Sequence, residues 1–145
     1  MQMSQIRDPA RCRAYFEDKV AFSTGPVELD HLIKSNEPIV VVDVRDAEDY
    51  SRGHVPGAIN LPKGTWSHPQ GLQKDKTNIV YCYSQTCHLA AKACVEFTGL
   101  GFTVTELEGG FAGWKSNEFE VEGQPANRLK KSGDRISGRR RQFDA

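Results

Sequence analysis

Residues 79–91 read Ile79-Val80-Tyr81-Cys82-Tyr83-Ser84-Gln85-Thr86-Cys87-His88-Leu89-Ala90-Ala91, and the pattern changes sharply inside this stretch. A short β-branched and aromatic run has the composition of a buried strand and delivers a cysteine to its end. Small polar residues follow. An Ala-rich amphipathic helix begins directly after them, with Ala90, Ala93, Cys94 and Phe97 spaced three and four apart for burial. A strand that passes through a tight loop into a helix is the building unit of an α/β domain. The same geometry puts the Cys82 sulfur beneath backbone N–H groups and the positive end of a helix. Such surroundings favour thiolate over thiol, so Cys82 is the candidate nucleophile of a cysteine-based enzyme.

The flanking sequence supplies the rest of such a domain. Ile39-Val40-Val41-Val42-Asp43-Val44 is a continuous apolar run, as expected of a parallel strand buried on both faces. Ala58-Ile59-Asn60-Leu61 and Thr103-Val104-Thr105-Glu106-Leu107 read as further strands. Asp8-Pro9 pairs an N-cap with proline at the first helical position and opens a helix to about Val20, with a weak apolar face of Ala10, Ala14, Phe16 and Val20. Ser23-Thr24-Gly25-Pro26 stops that helix and starts another, in which Val27, Leu29, Leu32 and Ile33 form the buried side. Short helices are expected over residues 47–52 and after Gly109-Gly110, the latter carrying Phe111 and Trp114. Residues 62–78 are loop-rich, with one helical turn expected near the middle.

At 145 residues with 38% apolar content, the chain fits one domain with an ordinary core. Lys+Arg and Asp+Glu both number 19, so no global charge points to nucleic acid or a membrane. The charge is unevenly placed: residues 128–141 hold seven basic side chains and one acid, Asp134. That basic stretch reads as a solvated flexible tail. Contact with nucleic acid is its rival reading, and Phe143 alone gives no stacking platform. No run approaches the roughly 18 apolar residues of a membrane span, and the polar start has no leader-like apolar region. Cys12, Cys82, Cys87 and Cys94 are therefore expected as reduced thiols, with the cytoplasm as the compartment.

Three blocks, in order and spacing, carry a family resemblance. The first is Asp43-Val44-Arg45 with Glu48 and Gly53-His54-Val55-Pro56-Gly57-Ala58; the second is the Cys82 loop; the third is Gly109-Gly110-Phe111 with Trp114. Together they resemble the rhodanese family of sulfurtransferases in its single-domain form, over about residues 27–115. The resemblance implies an α/β rhodanese-like domain with a five-stranded parallel sheet flanked by helices on both faces. It divides the chain into a helical extension (1–22), the domain (23–122) and a basic tail (123–145). It further implies that Cys82 takes a sulfane sulfur from thiosulfate or a persulfide, carries it as Cys–S–S⁻, and passes it to cyanide, a thiol or a protein acceptor. The partner would be a small sulfur compound or a persulfide-bearing protein, with no cofactor and no metal. Tyr83, Ser84, Gln85, Thr86, Cys87 and His88 would bind substrate, and Asp43, Arg45, Glu48 and His54 would support the site.

Two departures from the family pattern bear on function. Many active members carry Arg or Lys inside the loop; Tyr83 to Cys87 contain no cation, and His88 is the nearest candidate charge. That counts against thiosulfate and favours persulfide donors. Cys87 is the second departure: it either packs under the helix start or reacts with a persulfide on Cys82. A thiol redox sensor built on Cys82 and Cys87, and a non-catalytic binding module, stand as alternatives. A phosphatase on the related architecture would need a loop one residue longer closed by an arginine, where this chain has His88.

Overall fold

The computed structural model describes residues 7–123. The basic run at 128–141 lies outside the described residues, as does most of the 123–145 segment. In chain order the elements are α1 (Pro9–Phe22), β1 (Ser23–Thr24), α2 (Pro26–Lys34), β2 (Ile39–Asp43), α3 (Ala47–Arg52), β3 (Ile59–Asn60), β4 (Thr77–Tyr81), α4 (Leu89–Gly99), β5 (Val104–Leu107) and α5 (Gly110–Ser116). Among the described residues, the five strands form one parallel sheet in the order β1-β5-β4-β2-β3. The long central pair is in register from Ile39 opposite Thr77 to Asp43 opposite Tyr81. Those two strands therefore end side by side and deliver the first block and Cys82 to one edge of the sheet.

Side-chain alternation along β2 and β4 splits the core into two layers. Val41, Ile79 and Tyr81 face α2, α3 and α5, where they meet Leu29, Tyr50, Phe111 and Trp114. Val42, Val80 and Cys82 face α4 and the loop before β4, where they meet Ala90, Ala93, Phe97 and Trp66. The Trp66 indole N–H donates to the Leu61 carbonyl at 2.7 Å, so the loop closes this layer without an unpaired polar group. The helices thus cover both faces.

Several expectations are corrected. Ser23-Thr24 is an edge strand, parallel to β5, as well as the stop of α1. The apolar stripe of α1 is not buried: Phe16 is 57% exposed and Val20 80%. Val27 is 63% exposed, because α2 turns Leu29, Leu32 and Ile33 inward instead. The loop between β3 and β4 contains turns but no helix.

Candidate functional site

Cys82 follows β4 directly and lies almost completely buried, at 2% exposure. Residues 82–88 curl from the strand end to the N-cap position His88 of α4. The loop is held from outside by the third block. The Phe111 N–H donates to the Cys82 carbonyl and the Ala112 N–H to the Tyr83 carbonyl, both at 2.9 Å. The Gly109 N–H donates to Gln85 Oε1 at 2.6 Å. Gly110, with φ +58°, sits so close that a Cβ there would lie 2.7 Å from the Ser84 nitrogen and 2.8 Å from the Cys82 oxygen. Only glycine permits that approach.

A cleft of about 480 Å³ opens over the cysteine. From the loop it takes Cys82, Ser84, Gln85, Cys87 and His88. The rest of its lining includes regions not expected at the site: Tyr15, Asp18, Lys19 and Phe22 of α1, and Glu106 to Gly109 at the end of β5. Lys19 is ion-paired with Glu108, which fastens α1 across the mouth. The end of β5 was a legible signal, since a strand's carboxyl end borders such a site in parallel sheets. No sequence signal tied α1 to it.

Two of the expected substrate contacts point elsewhere. The Tyr83 hydroxyl donates to Asp49 Oδ2 at 2.6 Å and accepts the Asp46 N–H at 3.3 Å, which anchors the loop to α3. Burial and the Asp49 bond push that phenol up to about 12. Thr86 is exposed and shares a hydrogen bond with Ser84 Oγ. Neither lines the cleft.

The first block lies behind the site. Asp43 Oδ1 accepts the Arg45 N–H at 2.8 Å, and Oδ2 accepts both Arg45 Nη2 at 2.8 Å and the Tyr81 hydroxyl at 2.7 Å. Tyr81 in turn accepts the Val55 N–H, and Arg45 Nη2 donates to the Gly53 carbonyl. Burial works against the Arg45 charge, but the bonds to Asp43 outweigh it and hold the guanidinium above its ordinary value. The guanidinium also stands 4.1 Å from the centre of the Phe111 ring. This buried cluster ties the first block to the third through β4. His54 stacks on Tyr50 at 3.9 Å, and its Nδ1 is 2.8 Å from the Tyr50 carbonyl. Glu48 is exposed and pairs with Arg52. None of these four residues lines the cleft.

The protonation of the two loop thiols differs from the sequence expectation. The Cys82 thiol donates to the Cys87 carbonyl at 3.4 Å. Burial, together with a hydrogen bond to the Cys87 thiol, pushes Cys82 up to about 11, against the smaller opposing pull of the Ala90 and Ser84 N–H groups. Burial also opposes charge on Cys87, but the Cys82 thiol and the Leu89 and Tyr83 N–H groups outweigh it and lower that thiol. Cys87 is also the less buried of the two thiols. Iodoacetamide at neutral pH is expected to modify Cys87 before Cys82; peptide mapping of partly labelled protein reads the order, and prior labelling of Cys82 refutes it.

Among the described residues, no group of three or more His, Cys, Asp or Glu stands where it could hold a metal ion, and no helix is long and apolar enough to cross a membrane. Lys19 and His88 are the basic residues of the cleft lining, which includes no arginine.

Comparison with known proteins agrees with this architecture. A profile of the rhodanese-like domain matches residues 25–117. The chain is 34% identical over 89 residues to an HTH-type transcriptional regulator of Mycobacterium tuberculosis, a match covering 60% of this chain and 39% of that protein. It is 32% identical over 97 residues to the thiosulfate sulfurtransferase GlpE of Pseudomonas putida, covering 66% of this chain and 86% of that enzyme. The crystal structure of the BH2092 protein of Bacillus halodurans superposes with a TM-score of 0.74 at 39% identity, covering 80% of this chain and 87% of that one.

Proposed function

The chain belongs to the rhodanese-like domain family, and from that premise we propose that it is a sulfurtransferase carrying sulfane sulfur on Cys82. One observation carries the reading: the Cys82 thiol lies at the end of β4, on the floor of a cleft, inside a loop whose outer backbone is pinned by the third block. In the first step the Cys82 thiolate attacks the sulfane sulfur of the donor. The donor's S–S bond breaks, and its remaining thiolate or sulfite leaves with the electron pair. In the second, an acceptor thiolate or cyanide attacks the terminal sulfur and Cys82 departs as thiolate. The high proton affinity of Cys82 keeps the thiolate fraction small but makes the anion the stronger nucleophile. The N–H groups of Ser84 and Ala90 stabilise the charge once it forms.

The cleft favours a persulfide donor, whether small or protein-borne, over thiosulfate. Asp18, Glu106 and Glu108 line it together with Cys82, and Lys19 is already engaged by Glu108. A loop cation would add about 1.5–3 kcal/mol of charge-assisted hydrogen bonding to a dianion, or one to two orders of magnitude in binding. Thiosulfate is therefore expected to show the higher KM. Steady-state assays with thiosulfate and with glutathione persulfide test this, and a clearly lower KM for thiosulfate sinks it. Intact mass after incubation with either donor tests the function itself: one added sulfur must map to Cys82, and its absence with both donors overturns the assignment.

A further inference from the structure

We propose that Cys87 discharges the Cys82 persulfide within the chain, attacking the Cys82 sulfur to form a Cys82–Cys87 disulfide and releasing the terminal sulfur as hydrosulfide. The proposal rests on the reading of Cys82 as sulfur carrier. Both residues line the same cleft. The Cys82 sulfur lies 3.4 Å from the Cys87 carbonyl oxygen, and the Leu89 N–H points at the Cys87 sulfur from 3.5 Å. The loop thus holds the two thiols close enough to influence each other's protons and gives the Cys87 anion a donor.

Electrons balance without an outside oxidant. The sulfane sulfur is reduced to sulfide, and the two cysteine sulfurs are oxidised to the disulfide. One S–S bond breaks and one forms, and the proton of the Cys87 thiol passes to the terminal sulfur of the persulfide anion and leaves with it as hydrosulfide. Attack on the Cys82 sulfur expels hydrosulfide, a good leaving group, and needs no acceptor in the cleft. An external acceptor instead meets the terminal sulfur, as in the transfer step. Cys87 supplies the attacking sulfur, and the Leu89 N–H aimed at it stabilises the charge as it forms. Cys94, in the same core layer, is pushed up to about 12 by burial and does not line the cleft, so it is the internal control.

The consequence is a carrier that does not keep its persulfide. With an acceptor present, sulfur moves on; without one, the protein sheds it as sulfide and stops as a disulfide until a dithiol reduces it. The test loads the full chain with inorganic polysulfide under anaerobic conditions, desalts it, and follows it with no thiol added. Wild type is expected to release sulfide in proportion to the persulfide lost and to yield a Cys82–Cys87 peptide on non-reducing mapping. Cys87→Ser and Cys87→Ala are expected to keep the persulfide on Cys82 at least about tenfold longer, because they lose an intramolecular nucleophile. Cys94→Ser is expected to behave as wild type. A persulfide equally stable in wild type and the Cys87 variants, or sulfide release that continues in both variants, overturns the discharge. Sulfur absent from Cys82 in every protein overturns the carrier reading instead, and the discharge with it.

Discussion

Cys82→Ser is expected to lose sulfur transfer by at least about 10³-fold while remaining folded, the scale seen when a nucleophile is removed from an enzyme. Serine nearly preserves the shape of the side chain and can still donate to the Cys87 carbonyl in place of the thiol. It cannot form a persulfide. The fold pays a modest penalty, because the site is 2% exposed and packs against Val42, Val44 and Val80. Placing a hydroxyl there costs on the order of 1 kcal/mol after its one hydrogen bond is counted. The measurements are turnover with a persulfide donor and thermal unfolding of the same sample. Substantial turnover in a folded Cys82→Ser protein refutes the assignment of Cys82.

The two sides of the site were unequally legible. Cys82 could be placed from a few neighbours, because Ile79-Val80-Tyr81 specifies a buried strand and the alanines after Cys87 specify a helix. Strand and helix ends are local facts, set by period and composition. The Asp43, Arg45 and Tyr81 cluster was half legible: the residue types were visible, but the bond from the Tyr81 hydroxyl to Asp43 depends on the register of β2 against β4. The α1 wall was not legible at all. None of its residues is buried, so burial left no period to read. Its tie to the site is the ion pair of Lys19 with Glu108, which lie 89 positions apart. A strand as short as Ser23-Thr24 looks like a helix stop until β5 is set beside it. The shifts within the thiol pair escaped for a related reason. Backbone N–H groups beneath a strand-end cysteine were expected to acidify it, whereas burial and the hydrogen bond to the Cys87 thiol prevail.

Gly110→Ala tests whether the third block shapes the reactive loop. An alanine at φ +58° adopts a backbone region costing roughly 1 kcal/mol. Its methyl would meet the Ser84 nitrogen at 2.7 Å, the Cys82 oxygen at 2.8 Å and the Tyr83 carbonyl carbon at 2.9 Å, all of them backbone atoms. A backbone contact cannot be relieved by a rotamer change, so the loop and the start of α5 must part. Separation strains the bonds from Phe111 to Cys82 and from Ala112 to Tyr83, on which the loop's curvature depends. Overpacking plus the backbone cost gives an expected loss of about 2–4 kcal/mol, or a fall in Tm of roughly 10 °C. Turnover measured well below the new Tm is expected to fall further than the folded fraction does, because the folded molecules no longer hold Cys82 in a closed cradle. Gly99→Ala is the matched control: its Cβ meets nothing within 4 Å at the end of α4, and its effect is expected within about 0.5 kcal/mol. Equal Tm and equal turnover for Gly110→Ala and wild type would show that the loop keeps its shape without this contact. A lowered Tm with unchanged turnover per folded molecule would confine Gly110 to the stability of the fold.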